Sequence, residues 1–223
     1  MSRPVGAVLH ERQVAFLNAV LAELAPARVL ELAPGPARLS ADVRRLPFAV
    51  GMDFSPRMLG VAQRRMRERR RDEWSFVRGD GFALPFASGR FDVVFTIRFV
   101  RRFELAARRK LYAEIRRVLR PGGHLVLDAQ NRLVAGPHRE GRKGYEVYDE
   151  LWLRDELVDE LTAAGLPPVR LEGIMRRFAW QWQFQRLHRF GLDPLARAAI
   201  RLLERGSDRN PSTWMVLCRA ADG

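Results

Sequence analysis

The chain contains one cysteine, Cys218, in 223 residues. No internal disulfide can form, so stability has to come from a packed core. Lysine is nearly missing as well. Lys110 and Lys143 are the only two, and the other 37 of the 39 basic residues are arginines. No apolar run approaches the roughly 20 residues that cross a bilayer. The first residues carry no signal-peptide apolar region, and the chain shows no repeat or low-complexity tract. These absences lead us to expect a cytoplasmic protein of one domain over residues 1–223, as a monomer or homodimer.

What is present is a 47% apolar composition, ample for a core, and a formal charge of +13. Such a charge suits an acidic partner. Arginine replacing lysine throughout is equally the mark of a GC-rich coding sequence. No RNA-recognition motif accompanies it, so nucleic acid is not the expected partner.

Apolar residues at Val14, Leu17, Leu21 and Leu24 predict an amphipathic helix over 11–24. Short apolar runs predict strands at 29–32, 48–52, 74–77, 91–97, 124–128, 169–174 and 213–219. Helical patterns over 38–45, 56–71, 104–119 and 151–164 alternate with them. Ser55 followed by Pro56 reads as an N-cap and a first-turn proline. Gly165 reads as a left-handed helix stop, and Pro121-Gly122-Gly123 as a sharp break before the fifth strand. Strands alternating with helices imply a doubly wound α/β fold. Its mostly parallel sheet carries helices on both faces and a crevice at the carboxyl ends of its strands. An aromatic-rich insertion over 176–211 precedes the last strand. Phe178, Trp180, Trp182 and Phe184 alternate at period two there, predicting an extended start, and 194–204 has a helical pattern.

The chemistry-bearing residues gather at predicted strand ends. Glu31 nearly closes the first strand and leads into Ala33-Pro34-Gly35-Pro36-Ala37, a turn small enough for a ligand to approach backbone. Asp53 ends the second strand, where a carboxylate can accept from both hydroxyls of a ribose. A nicotinamide dinucleotide would require glycine at the place of Arg38, so a nucleoside without pyrophosphate fits better. Asp80 and Gly81 follow the third strand, where an aspartate on its own reads as a turn or cap residue. Asp92, opening the fourth strand, reads as structural.

These segments, with Gly89 to Ile97 and Leu119 to Leu127, resemble the ordered motifs of class I S-adenosylmethionine-dependent methyltransferases of the small-molecule, type 11-like kind. The resemblance covers about residues 25 to 175 and departs from the family's turn glycines at Ala33 and Ala37. It implies a seven-stranded Rossmann-like sheet whose last strand is antiparallel. It implies S-adenosyl-L-methionine as methyl donor, leaving as S-adenosyl-L-homocysteine. The implied donor contacts are Glu31, Ala33, Pro34, Gly35, Asp53, Phe54, Met58, Asp80, Gly81, Phe82, Thr96, Ile97 and Arg98. The expected reaction is methyl transfer to an O, N or C atom of a small molecule by in-line displacement, with no metal. The N-terminal 1–25 helix would border the acceptor pocket.

A sulfonium donor needs alignment more than a base. No clear catalytic residue is legible; His138 and Tyr145, in the loop expected over 131–150, are candidates. His10 has no better case. Arg101 and Arg102 stand where relatives carry a histidine; they are either anion holders or solvated residues at a helix start. The basic stripe from Arg64 to Arg71 reads as a solvated face. An RNA or protein methyltransferase and a non-catalytic donor-binding regulator remain alternatives.

Overall fold

In a computed structural model, residues 3–139, 147–206 and 210–221 are described. Strands β1 (Val29–Leu32), β2 (Ala49–Asp53), β3 (Trp74–Arg78), β4 (Phe91–Thr96), β5 (Leu119–Gln130), β6 (Pro168–Ile174) and β7 (Thr213–Arg219) form one sheet. Their order is β3-β2-β1-β4-β5-β7-β6. The first five run parallel, and β7 is antiparallel to both its neighbours. The chain moves outward from β1 to β3 and then returns to β4 on the other side of β1. That reversal opens a crevice beyond the carboxyl ends of β1 and β4.

Among the described residues, eight α-helices precede or connect the strands: α1 (Pro4–Leu24), α2 (Arg38–Asp42), α3 (Pro56–Glu68), α4 (Leu105–Val118), α5 (Arg132–Arg139), α6 (Arg154–Ala163), α7 (Phe178–Gln185) and α8 (Asp193–Leu203). Alternate residues of each strand feed opposite layers. Val29, Phe95, Val126 and Leu217 meet Leu17 and Leu21 of α1, Met66 of α3 and Ile200 of α8. Leu30, Val94, Leu125 and Val216 meet Leu111 and Ile115 of α4 and Leu157 and Leu161 of α6. Each such leucine or valine contributes about 1.5–3 kcal/mol on burial.

Most predicted elements form within a few residues of their expected bounds. Ser55 caps α3 by accepting from the Met58 N–H at 3.3 Å, with Pro56 in the first turn. Gly165 follows α6 at φ +71°. Asp92 accepts from the N–H groups of Ala27 and Arg28 and from Arg120, pinning the start of β4.

Four expectations fail. Pro121-Gly122-Gly123 does not break the chain; β5 runs through it. The register steps from Phe91 opposite Leu119 to Val93 opposite His124, so the extra residues bulge out with Gly122 at φ +66°. The expected loop over 131–150 begins instead as α5. The segment 178–184 is helical rather than extended. A helix brings Phe178 and Trp182 to the same side, 6.3 Å apart, and lets buried Gln181 reach Glu204. The arginine stripe of α3 is only partly solvated. Arg71 is buried and donates to the Ala41 and Val43 carbonyls, and Arg65 donates to the Pro36 carbonyl at 2.6 Å.

Candidate functional site

The turn after β1 is built from three left-handed residues. Ala33, Gly35 and Ala37 have φ of 55°, 54° and 53°. They stand where the family pattern places glycine, and the alanines hold the same backbone at a steric cost. An added Cβ on Gly35 would meet no atom within 4 Å, so this backbone faces open space. Pro34 is buried beneath the turn. The Ala33 N–H donates to the Met52 carbonyl at 2.8 Å, which stitches the turn to β2.

Asp53 joins the parts. Its Oδ2 accepts from the Gly35 N–H and its Oδ1 from the Ser55 N–H, each at 2.9 Å. One carboxylate thus ties the turn to the start of α3. Each oxygen keeps a second lone pair for an incoming hydroxyl. Beside it Phe54 is 69% exposed, with the Arg78 guanidinium 5.7 Å from its ring centre. Met58 is half-buried one turn into α3.

Asp80 sits at the exposed end of β3 and accepts from the Phe82 N–H at 2.9 Å, closing a tight turn. Gly81 lies buried against Phe99; an added Cβ would stand 3.1 Å from that ring. The Phe82 ring packs edge-on against Phe103, which packs edge-on against Phe99, both at 5.0 Å.

Three predicted contacts lie elsewhere. Glu31 is only 2% exposed, and its Oε2 accepts from the Ser40 hydroxyl. Burial raises its pKa from 4.5 to about 8, with the Asp53 charge adding to the rise and the Ser40 bond opposing it. At neutral pH it is therefore mostly an uncharged strut beneath the crevice. Thr96 is buried and donates its hydroxyl to the Leu32 carbonyl at 3.0 Å, holding β4 to β1. Ile97 joins the core.

Arg98 does reach the rim. It holds a left-handed φ of 61°, fixed by its N–H donating to Asp128 Oδ1 at 2.5 Å. The protein around it lowers its pKa by desolvation; Asp128 offsets this in part, while Arg101, Arg38 and Arg102 add to the fall. Sequence reasoning used Arg38 only against a dinucleotide and did not count it among the site residues, although its place at the start of α2 was visible. Arg101 matches neither expectation. It is buried with its Nε 3.1 Å from the buried Asp149 carboxylate, which also draws in Arg102 and Arg139. Those arginines anchor residues 147–150 over the segment after β4.

His138 lies on α5, its ring 5.0 Å from Phe178 and 6.5 Å from Trp182 of α7. Tyr145 lies outside the described residues. His10 pairs with Asp42 at 2.7 Å. A cavity of about 680 Å³ opens elsewhere, between α4 and α6, beside Arg108, Glu150, Trp152 and Glu160. It contains none of the predicted donor residues. Among the described residues no cluster of three metal-ligating side chains occurs, and no helix is long and apolar enough to cross a membrane.

Residues 29–123, the segment that builds this crevice, match the family described as a methyltransferase domain. This segment is a methyltransferase domain. Its superfamily relatives include a demethylmenaquinone methyltransferase of Thermus thermophilus, 46% identical over 108 residues, covering 47% of this chain and 48% of that protein. A malonyl-[acyl-carrier protein] O-methyltransferase of Legionella pneumophila is 38% identical over 98 residues, covering 43% and 32%. The chain thus spans about half the length, or less, of these curated relatives. Among solved structures, a SAM-dependent methyltransferase from Aquifex aeolicus superposes with a TM-score of 0.58 at 15% identity, covering 91% of this chain and 88% of that one. The [4+2]-cyclase SpnF superposes at 0.64 and 21% identity, covering 88% and 75%. The class I fold therefore also hosts an enzyme named for a different reaction.

Proposed function

We propose that this chain is an S-adenosylmethionine-dependent methyltransferase acting on a small-molecule acceptor. The observation that carries the reading is the Asp53 carboxylate bonded to the Gly35 N–H across a turn that faces open space. The fit is chemical: a bare backbone for close approach, a carboxylate with spare lone pairs for two hydroxyls, and a second carboxylate, Asp80, with a following N–H on Gly81.

When bound, S-adenosylmethionine supplies an activated methyl group. Asp53 accepts from the ribose hydroxyls, and Asp80 accepts from the adenine amine. Phe54, Met58 and Phe82 flank the base. Ala33, Pro34 and Gly35 give the methionine part room, and Arg98 offers its carboxylate a cation. Glu31, Thr96 and Ile97 act from below by holding the turn and β4 in place. Transfer then depends on holding the acceptor atom in line and keeping water out. The α1 helix and the Phe178–Trp182 side of α7 border the acceptor. Demethylated quinones, the substrates named in several relatives, are an acceptor class to try first. His138, whose ring contacts Phe178 and Trp182, is the candidate to take a proton if the acceptor requires it.

Incubation with isotopically labelled S-adenosylmethionine and a small-molecule extract, read by mass spectrometry, tests the activity. Label should appear in a discrete small product. Label found only in RNA or protein, or donor binding without transfer across a broad acceptor panel, would contradict it.

A further inference from the structure

The α7–α8 segment carries exposed apolar side chains, apart from Phe178 and Trp182, to which the methyltransferase reading gives no role. Among the described residues, five of the twelve exposed large apolar side chains fall within residues 180–202, so exposure is concentrated there rather than scattered. Trp180 is 64% exposed, Phe190 76%, Leu195 61% and Leu202 64%; Leu192 is exposed too.

Helical spacing explains the pattern. Ala196 and Ile200 are buried, and α8 packs against α1. Leu192, Leu195, Ala199 and Leu202 follow at intervals of three, four and three, which places them in one stripe next to the buried face. The apolar arc of α8 is therefore wider than its contact with the protein. One half is covered and the other faces solvent. Arg197, Arg201 and Arg205 recur every fourth residue and form a row along the polar side.

The charge around this stripe has one sign. Residues 176–206 hold seven arginines and two acids. Both acids are turned to internal use. Asp193 binds His188 at 2.6 Å, and buried Glu204 accepts from the N–H groups of Met175 and Arg176 and from Gln181. Arg201 is committed to Glu11 at 2.7 Å. Arg189 and Arg205 are exposed and face no carboxylate among the described residues.

We infer that the α7–α8 face docks on an anionic lipid surface. Tryptophan, phenylalanine and leucine enter the headgroup–acyl boundary while the arginines meet lipid phosphates. Charge complementarity selects this occupant over a second copy of the chain, because two such faces would bring the same arginines together. The inference stands independently of methyl transfer.

Flotation of the full chain with vesicles tests it. Vesicles of equal parts phosphatidylglycerol and phosphatidylcholine should retain the protein, and phosphatidylcholine alone should not. Replacing Arg189 and Arg205 together by Gln should weaken partition about thirtyfold. Leu195→Glu with Leu202→Glu should abolish it while donor binding and the unfolding midpoint persist. Brominated lipid should quench wild-type fluorescence more than that of Trp180→Phe. Failure of the wild type to float, unchanged flotation of the leucine variant, or concentration-dependent dimerisation in place of flotation would overturn the inference.

Discussion

At pH 7 the Glu31 carboxyl is mostly protonated, because burial raises its pKa to about 8. An unfolded glutamate ionises near 4.5, so between about 4.5 and 8 the folded state holds a proton that the unfolded chain releases. Stability from this group is complete below about 4.5 and is lost as pH rises through about 8. Thermal melts across that range should show the decline in wild type and a flatter profile in Glu31→Gln; parallel profiles would refute the assignment. The left-handed alanines give a second residue-level test. Ala33→Gly relieves a conformation that disfavours a Cβ and should raise stability by about 0.5–1 kcal/mol, measured by urea unfolding. Ala37→Gly should gain less, since the Ala37 methyl is fully buried. Glu31 and Thr96 were legible as polar groups at strand ends but not as buried struts. A strand alternates its faces, and the spacing alone does not say which side an acid at the end will take.

At the scale of elements, α4 and α6 are clamped by one arginine. Arg108 is 3% exposed; it forks onto Glu160, reaches Glu150 at 2.7 Å and lies 5.0 Å above the Trp152 ring. Tyr112 and Trp152 also donate to Glu160. Burial alone would raise the Glu160 pKa, but these donors outweigh it and hold the carboxylate below the usual range. Arg108→Ala strands that carboxylate and should cost about 3–5 kcal/mol in urea unfolding. A loss below about 1 kcal/mol would show the pair to be solvent-relaxed. None of this network was legible, because its members are 52 residues apart in the case of Arg108 and Glu160. The strands β1 to β4 were legible because each is a short apolar run with a turn behind it. The α7 aromatics misled because every second residue is aromatic, a period that belongs to strands, while on the helix they fall into two i,i+4 pairs, Phe178 with Trp182 and Trp180 with Phe184. The helix α5 was hidden by Gly136 and Pro137, which read as loop residues.

Taken as a whole molecule, the +13 charge is distributed inward more than its size suggests. Arg65, Arg71, Arg108, Arg117 and Arg176 all cap backbone carbonyls, and several also pair with acids. We therefore expect weak retention on RNA at physiological salt, with a shallow salt dependence; tight, steeply salt-sensitive binding would revive the RNA reading. The fold was legible at this scale because the order of strand, turn and acid repeats at β1, β2 and β3. The acceptor was not, because the aromatic-rich segment before β7 has the least regular pattern in the chain.

The central claim is that Asp53 and the turn at Gly35 hold a nucleoside. Calorimetric titration with S-adenosylhomocysteine tests it most directly. Wild type should bind one equivalent. Asp53→Ala should bind about a hundredfold or more weakly, since two hydrogen bonds to a charged group are lost. No heat from wild type, or equal affinity in a folded Asp53→Ala variant, would contradict the account.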